Sequence, residues 1–279
     1  MHLALEGLDF SATDLAAEVT ARLGRLAGRY PGEPADLGLL AQGLVAAATT
    51  PLGGPLAGTV LADLPPAQRV SEMSFELPVA GGERAIGQVA LSDLAELLRG
   101  HLGPGDPLAG YPDALEELAA GGEGASGPAV LRGYLTGSLD LVFSAPVGST
   151  ARYFVADYKT NRLVGGPDQA GGGGPDRYGA EALAREMVRS HYPLQALFYL
   201  VALHRYLRWR LPGYRADRDL GGAVYLFLRG MPGFLRGIPG AAGAPSGPAH
   251  HVPGVFWWQP PAALVVEASD WLAGPGAPG

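Results

Sequence analysis

A pair of alternating segments separated by a short break is the feature that most constrains the fold. Residues 137–143 and 153–159 are rich in β-branched and aromatic residues, with Pro, Gly and Ser between them. This pattern predicts two antiparallel strands joined as a hairpin. Side chains two apart on a strand share a face, so Asp157 and Lys159 are expected to point the same way. If Asp140 lies across the hairpin, two carboxylates and one ammonium meet there.

Such a cluster suits a site that cleaves phosphodiesters around a divalent cation. Oxygen ligands favour Mg²⁺, with Mn²⁺ as an alternative, and the cation polarises a phosphate and lowers the pKa of a bound water. The other interpretation is a surface ribbon that carries an Asp and a Lys by chance. Of 20 basic residues, Lys159 is the only lysine. A compact point charge fits beside a metal better than a planar guanidinium, which favours the functional interpretation.

Composition narrows the class of protein. The 279 residues are 47% hydrophobic, which supports a real core, while 43 Gly and 25 Pro concentrate in a few stretches and indicate flexible insertions. The absence of cysteine excludes disulfides, thiolate zinc sites and a cysteine-ligated Fe–S cluster. No apolar run of about 18 residues and no signal-peptide pattern occur, so no membrane contact and a cytoplasmic location are expected.

The formal net charge of −7 argues against a free-standing, non-specific nucleic-acid binder. A nuclease can still be acidic, because its metal site carries carboxylates and a partner can supply the basic channel. The charge therefore favours a catalytic module to which another protein delivers the substrate.

The rest of the chain predicts helices around a few further strands. An apolar stripe predicts helix over residues 1–30, with Ser11 as its N-cap. Periodicity predicts the remaining helices at 35–48, 91–99, 107–120, 181–190, 193–210 and 261–272, and further strands at 69–79, 221–228 and 255–258. The Gly-rich stretch 165–174 is expected to be a flexible insertion. A phosphate-cradling loop would need Gly-Lys-Ser/Thr, so no ATP site is expected in this chain.

The predicted helix 193–210 carries two further groups of interest. Gln195 and Tyr199 are four residues apart and share one face. The end of the helix carries arginines interleaved with aromatic residues: Arg205, Arg208 and Arg210. Such a patch can contact phosphates or bases, or it can be a solvated helix end whose arginines complement the helix dipole.

In combination, these motifs resemble the PD-(D/E)xK nuclease superfamily and, more narrowly, the C-terminal nuclease domain of RecB-type proteins. The resemblance rests on segments 137–143, 157–161, 191–199, 202–207 and 221–231. It implies an α/β, restriction-endonuclease-like core, with a mixed central β-sheet flanked by helices and an additional N-terminal helical region. It also implies a catalytic set made of Asp140, Asp157, Lys159, Gln195 and Tyr199.

The same resemblance adds two site residues outside the hairpin. The family motif His-x-x-x-Glu-x-Leu-Asp-Phe is matched by residues 2–10. The match makes His2 an expected metal ligand beside Asp140 and Asp157. Glu72 falls where the family has an acidic residue near the site.

The expected organisation is a single nuclease domain over residues 1–279. Its expected parts are a helical N-terminal part with one strand (1–128), a catalytic core (129–231), a Gly/Pro-rich loop (232–254) and a C-terminal strand and helix (255–279). Family members carry two helicase domains upstream, and this chain carries none. We therefore expect either an excised domain or a start codon assigned inside a longer gene.

The resemblance implies Mg²⁺-dependent exonuclease or endonuclease activity on DNA. The context would be double-strand-break end resection and recombinational repair, within a heterotrimer with RecC-like and RecD-like subunits. Two rival hypotheses remain. The first is a catalytically silent, nuclease-like module that docks on partner subunits or guides DNA. The second is a metal-dependent hydrolase of another phosphoester.

Overall fold

The computed structural model describes residues 2–28, 36–56, 58–80, 85, 87–121, 129–163, 175–231 and 251–274. The α-helices are α1 (His2–Glu6), α2 (Leu15–Ala27), α3 (Leu37–Ala48), α4 (Leu91–His101), α5 (Tyr111–Ala120), α6 (Ala180–Arg189), α7 (Tyr192–Arg210), α8 (Ala216–Asp219) and α9 (Ala262–Ala273). The strands are β1 (Arg69–Pro78), β2 (Gln88–Ala90), β3 (Val130–Arg132), β4 (Tyr134–Val147), β5 (Thr150–Lys159), β6 (Leu220–Phe227) and β7 (Val255–Trp258). The predicted insertion 165–174 and most of the predicted loop 232–254 lie outside the described residues.

The central feature is a five-stranded sheet in the order β1-β4-β5-β6-β7. A second, two-stranded sheet pairs β2 with β3 in antiparallel fashion, with Gln88 opposite Arg132. The expected mixed α/β class is confirmed. Strands β2 and β3 were not predicted, because three residues are too few to show a two-residue period.

The predicted hairpin is confirmed and is longer than its sequence pattern indicates. Strands β4 and β5 pair from Leu141 opposite Ala156 to Val147 opposite Thr150. Only two residues connect them, and Gly148 adopts a φ of 62° there. A two-residue hairpin turn of this kind requires positive φ, which glycine adopts without strain. The predicted break is therefore mostly strand.

The chain divides into two compact units, and the first comprises Met1–Glu72, Asp140–Leu183 and Val224–Trp257. Its core covers one face of the hairpin with side chains from α1, α2 and α3. Phe143 and Phe154 are direct cross-strand partners whose rings stack with centroids 5.3 Å apart. Trp257 packs edge-on against Phe154 at 5.6 Å. Aromatic cross-strand pairs of this kind stabilise a sheet beyond the area they bury.

The prediction of one helix over residues 1–30 is wrong. Helix α1 ends at Glu6 and α2 begins at Leu15. The N-cap is Asp14, whose carboxylate accepts the Ala17 N–H at 2.9 Å, and not Ser11. Ser11 instead donates its hydroxyl to the Asp9 carboxylate at 2.6 Å. Short polar side chains compete with helical hydrogen bonds in this way, and they turn the chain between the two helices.

The second unit comprises Met73–Leu139, Ala184–Ala223 and Trp258–Gly279. Helix α7 is buried along most of its length and packs on α9, where the Arg205 guanidinium donates to the Ser269 carbonyl at 2.6 Å. Buried His204 hydrogen-bonds the Tyr214 hydroxyl at 2.9 Å. Burial and the neighbouring arginines lower the pKa of His204 to about 4, so this histidine is neutral at pH 7. No helix in the described part of the chain is long and apolar enough to span a membrane.

Candidate active site

The β4–β5 hairpin brings Asp140 and Asp157 next to each other. The paired register ends with Leu141 opposite Ala156, and Asp140 and Asp157 are the next residues of the two strands, which the same register would set opposite each other. Directly opposed residues of an antiparallel pair point to the same face of the sheet. Both side chains are buried: the exposed fraction is 9% for Asp140 and 3% for Asp157. Two carboxylates are thus held side by side with little access to water.

Lys159 completes the cluster. Its Nζ lies 2.7 Å from the Asp157 Oδ2, and its side chain is only 13% exposed. Asp157 and Lys159 are two residues apart on β5 and share a face, as the sequence predicted. The Coulombic attraction within a pair this well buried is screened less by water than the attraction within a surface pair.

A backbone hydrogen bond fixes the orientation of Asp140. The Tyr158 N–H donates to the Asp140 Oδ2 at 2.9 Å. The Tyr158 ring lies in the core, and burial, followed by the negative charge of Asp140, raises the pKa of its hydroxyl. The ring of Tyr158 therefore anchors the strand in the core, and its backbone N–H orients the Asp140 carboxylate.

Strand β6 contacts Lys159 from a direction that the sequence did not indicate. The Lys159 Nζ lies over the ring of buried Tyr225, 5.3 Å from its centroid. The Leu228 N–H donates to the Lys159 carbonyl at 2.9 Å. Sequence reasoning assigned residues 221–228 to the core, since a continuous apolar run carries no sign of which ring faces a charge.

His2 lies at the start of α1, and its side chain is outside the described part of the structure. The end of its motif is well anchored. Arg69 pairs with the Asp9 carboxylate at 3.3 Å, and its guanidinium lies over the Phe10 ring, 4.7 Å from the centroid. The metal-ligand role of His2 stays a prediction.

Glu72 lies in β1, is exposed and has a φ of 53°. This left-handed backbone is uncommon for a residue with a side chain, and it concentrates at functional positions. The role of Glu72 in the site stays a prediction.

Gln195 and Tyr199 form a pair on α7, as their spacing predicted. The Gln195 Nε2 donates to the Tyr199 hydroxyl at 2.8 Å. The Tyr199 ring meets Phe75 edge-on, with centroids 6.0 Å apart. A Cβ at Gly137 would lie 2.7 Å from the Phe75 ring, so a larger residue at this position of β4 would displace that ring. The catalytic roles of Gln195 and Tyr199 stay predictions.

The three arginines of the predicted basic patch have different surroundings. Arg205 is half-buried and donates to both the hydroxyl and the carbonyl oxygen of Ser269. Arg208 and Arg210 are exposed, and the Arg210 guanidinium lies 4.9 Å from the ring centroid of Trp209, which is 76% exposed. Arg205 thus has a structural contact that its sequence position did not reveal.

The donor chemistry of the cluster fits a hard divalent cation. Asp140 and Asp157 provide carboxylate oxygens, which are the ligands that Mg²⁺ and Mn²⁺ prefer. A bound cation would also neutralise two like charges held close together. Within the described ranges, which leave out the His2 side chain, no group of three or more His, Cys, Asp or Glu residues converges on a metal position.

Comparison with known proteins identifies the relatives of this chain. It is 42% identical over 277 residues to "RecBCD enzyme subunit RecB" of Mycobacterium tuberculosis, which covers 98% of this chain. The chain is homologous to part of RecB. The resemblance noted from the sequence motifs is thereby confirmed.

Other RecB relatives agree. The proteins of the same name from Mycolicibacterium smegmatis and Escherichia coli are 41% identical over 273 residues and 31% identical over 228 residues, covering 98% and 81% of this chain. The chain spans only 23% of the length of the mycobacterial RecB relatives and 15% of the length of the E. coli relative. No model of a protein family matches the chain.

Proposed function

We propose that this chain is a metal-dependent deoxyribonuclease module of RecB type, which hydrolyses phosphodiester bonds during the processing of broken DNA ends for recombinational repair. The observation that carries the proposal is the buried cluster of Asp140, Asp157 and Lys159 on one face of the hairpin. Homology to RecB over almost the whole chain supports it. Two carboxylates and one ammonium form the minimal set for metal-assisted phosphodiester cleavage.

Asp140 and Asp157 would hold Mg²⁺, with Mn²⁺ as a substitute and His2 as the expected third ligand. When bound, the cation polarises the phosphate and lowers the pKa of a coordinated water. The Tyr158 N–H that binds the Asp140 Oδ2 orients this carboxylate in advance. Ordering the carboxylate during folding removes an entropic cost from each catalytic cycle.

Lys159 stabilises the negative charge that develops on the phosphate oxygens during attack. Its ion pair with Asp157 holds the ammonium within the candidate site. A donor fixed in a poorly hydrated site stabilises developing charge more than a mobile one in water. The Gln195–Tyr199 pair positions the DNA strand or the lysine.

Delivery of DNA belongs to partner subunits of RecC-like and RecD-like character in the cytoplasm. The charge of −7 gives the chain little non-specific affinity for a polyanion. The exposed Arg208 and Arg210 contact phosphates at the end of α7 and steer a strand that the partners supply.

The second candidate is the catalytically silent module, which the acidic net charge favours. Digestion of linear and single-stranded DNA, with Mg²⁺ or with EDTA, separates the two candidates. We expect cleavage with Mg²⁺ and none with EDTA. If the folded parent binds DNA and still leaves every substrate intact with Mg²⁺ or Mn²⁺, the silent module is the correct function.

Substitution of the single lysine tests its role. Lys159→Ala removes the ammonium that stabilises the transition state, and we expect the cleavage rate to fall about a hundred- to a thousand-fold. Folding, followed by circular dichroism, should stay intact. Arg99→Ala serves as a control, because this exposed cation lies on α4 and pairs only with Asp113 and Glu116 among the described residues. Equal rates for Lys159→Ala and the parent would contradict the role of Lys159.

A further inference from the structure

We propose that Tyr225 is a positioning residue for Lys159 and acts through a cation–π contact with the lysine ammonium. The proposal rests on the nuclease function above, because it explains how the ammonium is kept in place. The sequence analysis assigned no role in the site to Tyr225, although segment 221–231 contains it. It lies in the middle of β6, where all eight residues are buried.

The contact has the geometry of a cation held between two partners. The Lys159 Nζ lies 2.7 Å from the Asp157 Oδ2 and 5.3 Å from the centroid of the Tyr225 ring. The Tyr225 side chain is 1% exposed, so water does not compete for the ring face. Ammonium groups within about 6 Å of a ring centroid are attracted to the negative face of the ring, and more strongly when desolvated.

The chemistry explains why an aromatic ring is suited to this position. A third carboxylate would add negative charge beside the two aspartates and would compete with Asp157 for the lysine. An aliphatic side chain would remove the attraction of the ring face for the buried ammonium. A tyrosine ring attracts the cation without adding a formal charge. It thus fixes the direction of the ammonium and leaves the charge balance of the site unchanged.

The main chain that directly follows β6 supports the same placement. The Leu228 N–H donates to the Lys159 carbonyl at 2.9 Å, and the Arg229 Nε donates to the Thr160 carbonyl at 2.9 Å. These bonds fix the backbone of Lys159, and the Tyr225 ring restricts the position of the Nζ. Both contacts come from β6 and the residues that directly follow it.

The first test is spectroscopic and does not depend on cleavage. Because Lys159 is the only lysine, protein made with ¹³C-labelled lysine gives a single set of side-chain signals in NMR spectra. The ring current of Tyr225 should move the Cε proton signal upfield of its position in urea-unfolded protein. Tyr225→Phe should keep this displacement, and Tyr225→Leu and Tyr225→Met should lose it.

A matched control uses another buried tyrosine. Tyr111 is fully buried and contacts His191. Tyr111→Leu should perturb packing around α5 and leave the lysine signal where it is in the parent. The combination separates a local ring effect from general loosening of the fold. Having both Leu and Met variants at position 225 keeps the test valid if one of them does not fold.

The second test is kinetic. Loss of the ring should reduce kcat for DNA cleavage about 2- to 30-fold, with KM for DNA unchanged, because the ring acts on Lys159 and not on the DNA. Tyr225→Phe should restore kcat to nearly the parental value. A purely structural role would lower the melting temperature without separating kcat from KM.

Two results would overturn the proposal: an unchanged lysine signal in the folded Leu or Met variant, or a Phe variant as impaired as the Leu variant. Failure of the nuclease proposal is distinguishable from both. In that case the parent does not cleave DNA, while the lysine signal still shows whether Tyr225 holds the ammonium.

Discussion

The two faces of the β4–β5 hairpin have opposite properties although they come from the same residues in alternation. One face carries Phe143, Phe154 and Tyr158, which join the core with α1, α2 and α3. The other carries Asp140, Asp157 and Lys159. A slip of one residue in the register would exchange the two faces. Residues that stabilise the fold therefore alternate with residues of the candidate site along the same two strands, and substitutions can test each group separately.

The largest expected effect on stability comes from the apolar face. Phe154→Ala removes a ring that stacks on Phe143 and meets Trp257, so we expect the free energy of unfolding to fall by about 3–5 kcal/mol. Urea unfolding followed by circular dichroism measures this. Below the melting temperature the folded fraction should still cleave DNA. A loss under about 1 kcal/mol would contradict the assignment of this face to the core.

A substitution on the charged face should affect cleavage and leave the free energy of unfolding nearly unchanged. Asp140→Asn keeps an oxygen that accepts the Tyr158 N–H and removes one of two neighbouring negative charges. We expect the free energy of unfolding to change by less than about 1 kcal/mol, because these two effects offset each other. Cleavage should fall about a hundred- to a thousand-fold, as for loss of one electrostatic catalytic group. A large loss of stability with cleavage retained would show that Asp140 is structural.

The smallest effect is expected at an ion cluster outside the hairpin. Arg99 donates to the Asp113 and Glu116 carboxylates at 2.9 Å and 2.8 Å, but all three side chains are exposed. Water and salt screen such pairs, so Arg99→Ala should change neither cleavage nor the unfolding transition measurably. A clear change in cleavage would show that burial is not what distinguishes the Asp157–Lys159 pair.

Elements with a clear apolar pattern were predictable from the sequence. The hairpin, α7, β6 and β7 lie close to their predicted positions. The hairpin strands alternate, and β6 is a continuous apolar run of strand length. The pairing of Asp157 with Lys159 followed from the same rule. Gln195 and Tyr199 meet because residues four apart on a helix are neighbours.

Features that the apolar pattern does not report were not predictable. The division of residues 1–30 into α1 and α2 depends on the side-chain bonds of Asp9 and Asp14, which compete with a continuous apolar stripe. The sequence assigned Tyr225 to the core, and its ring is buried there. The ring reaches Lys159 because β6 lies next to β5 in the sheet. Arg205 carries a charge like its neighbours, but its bonds to Ser269 require the packing of α9.

The link between Arg69 and residues 2–10 has a consequence if His2 ligates a metal ion. Helix α1 has five residues, which are too few to form a stable helix alone, so α1 depends on tertiary contacts. Arg69 pairs with the Asp9 carboxylate and lies over the Phe10 ring, and Arg22 donates to the Leu3 carbonyl at 3.0 Å. If His2 ligates the cation, these two guanidinium groups act as remote determinants of metal occupancy: loosening either one would raise the dissociation constant of the ion without any change to its ligands.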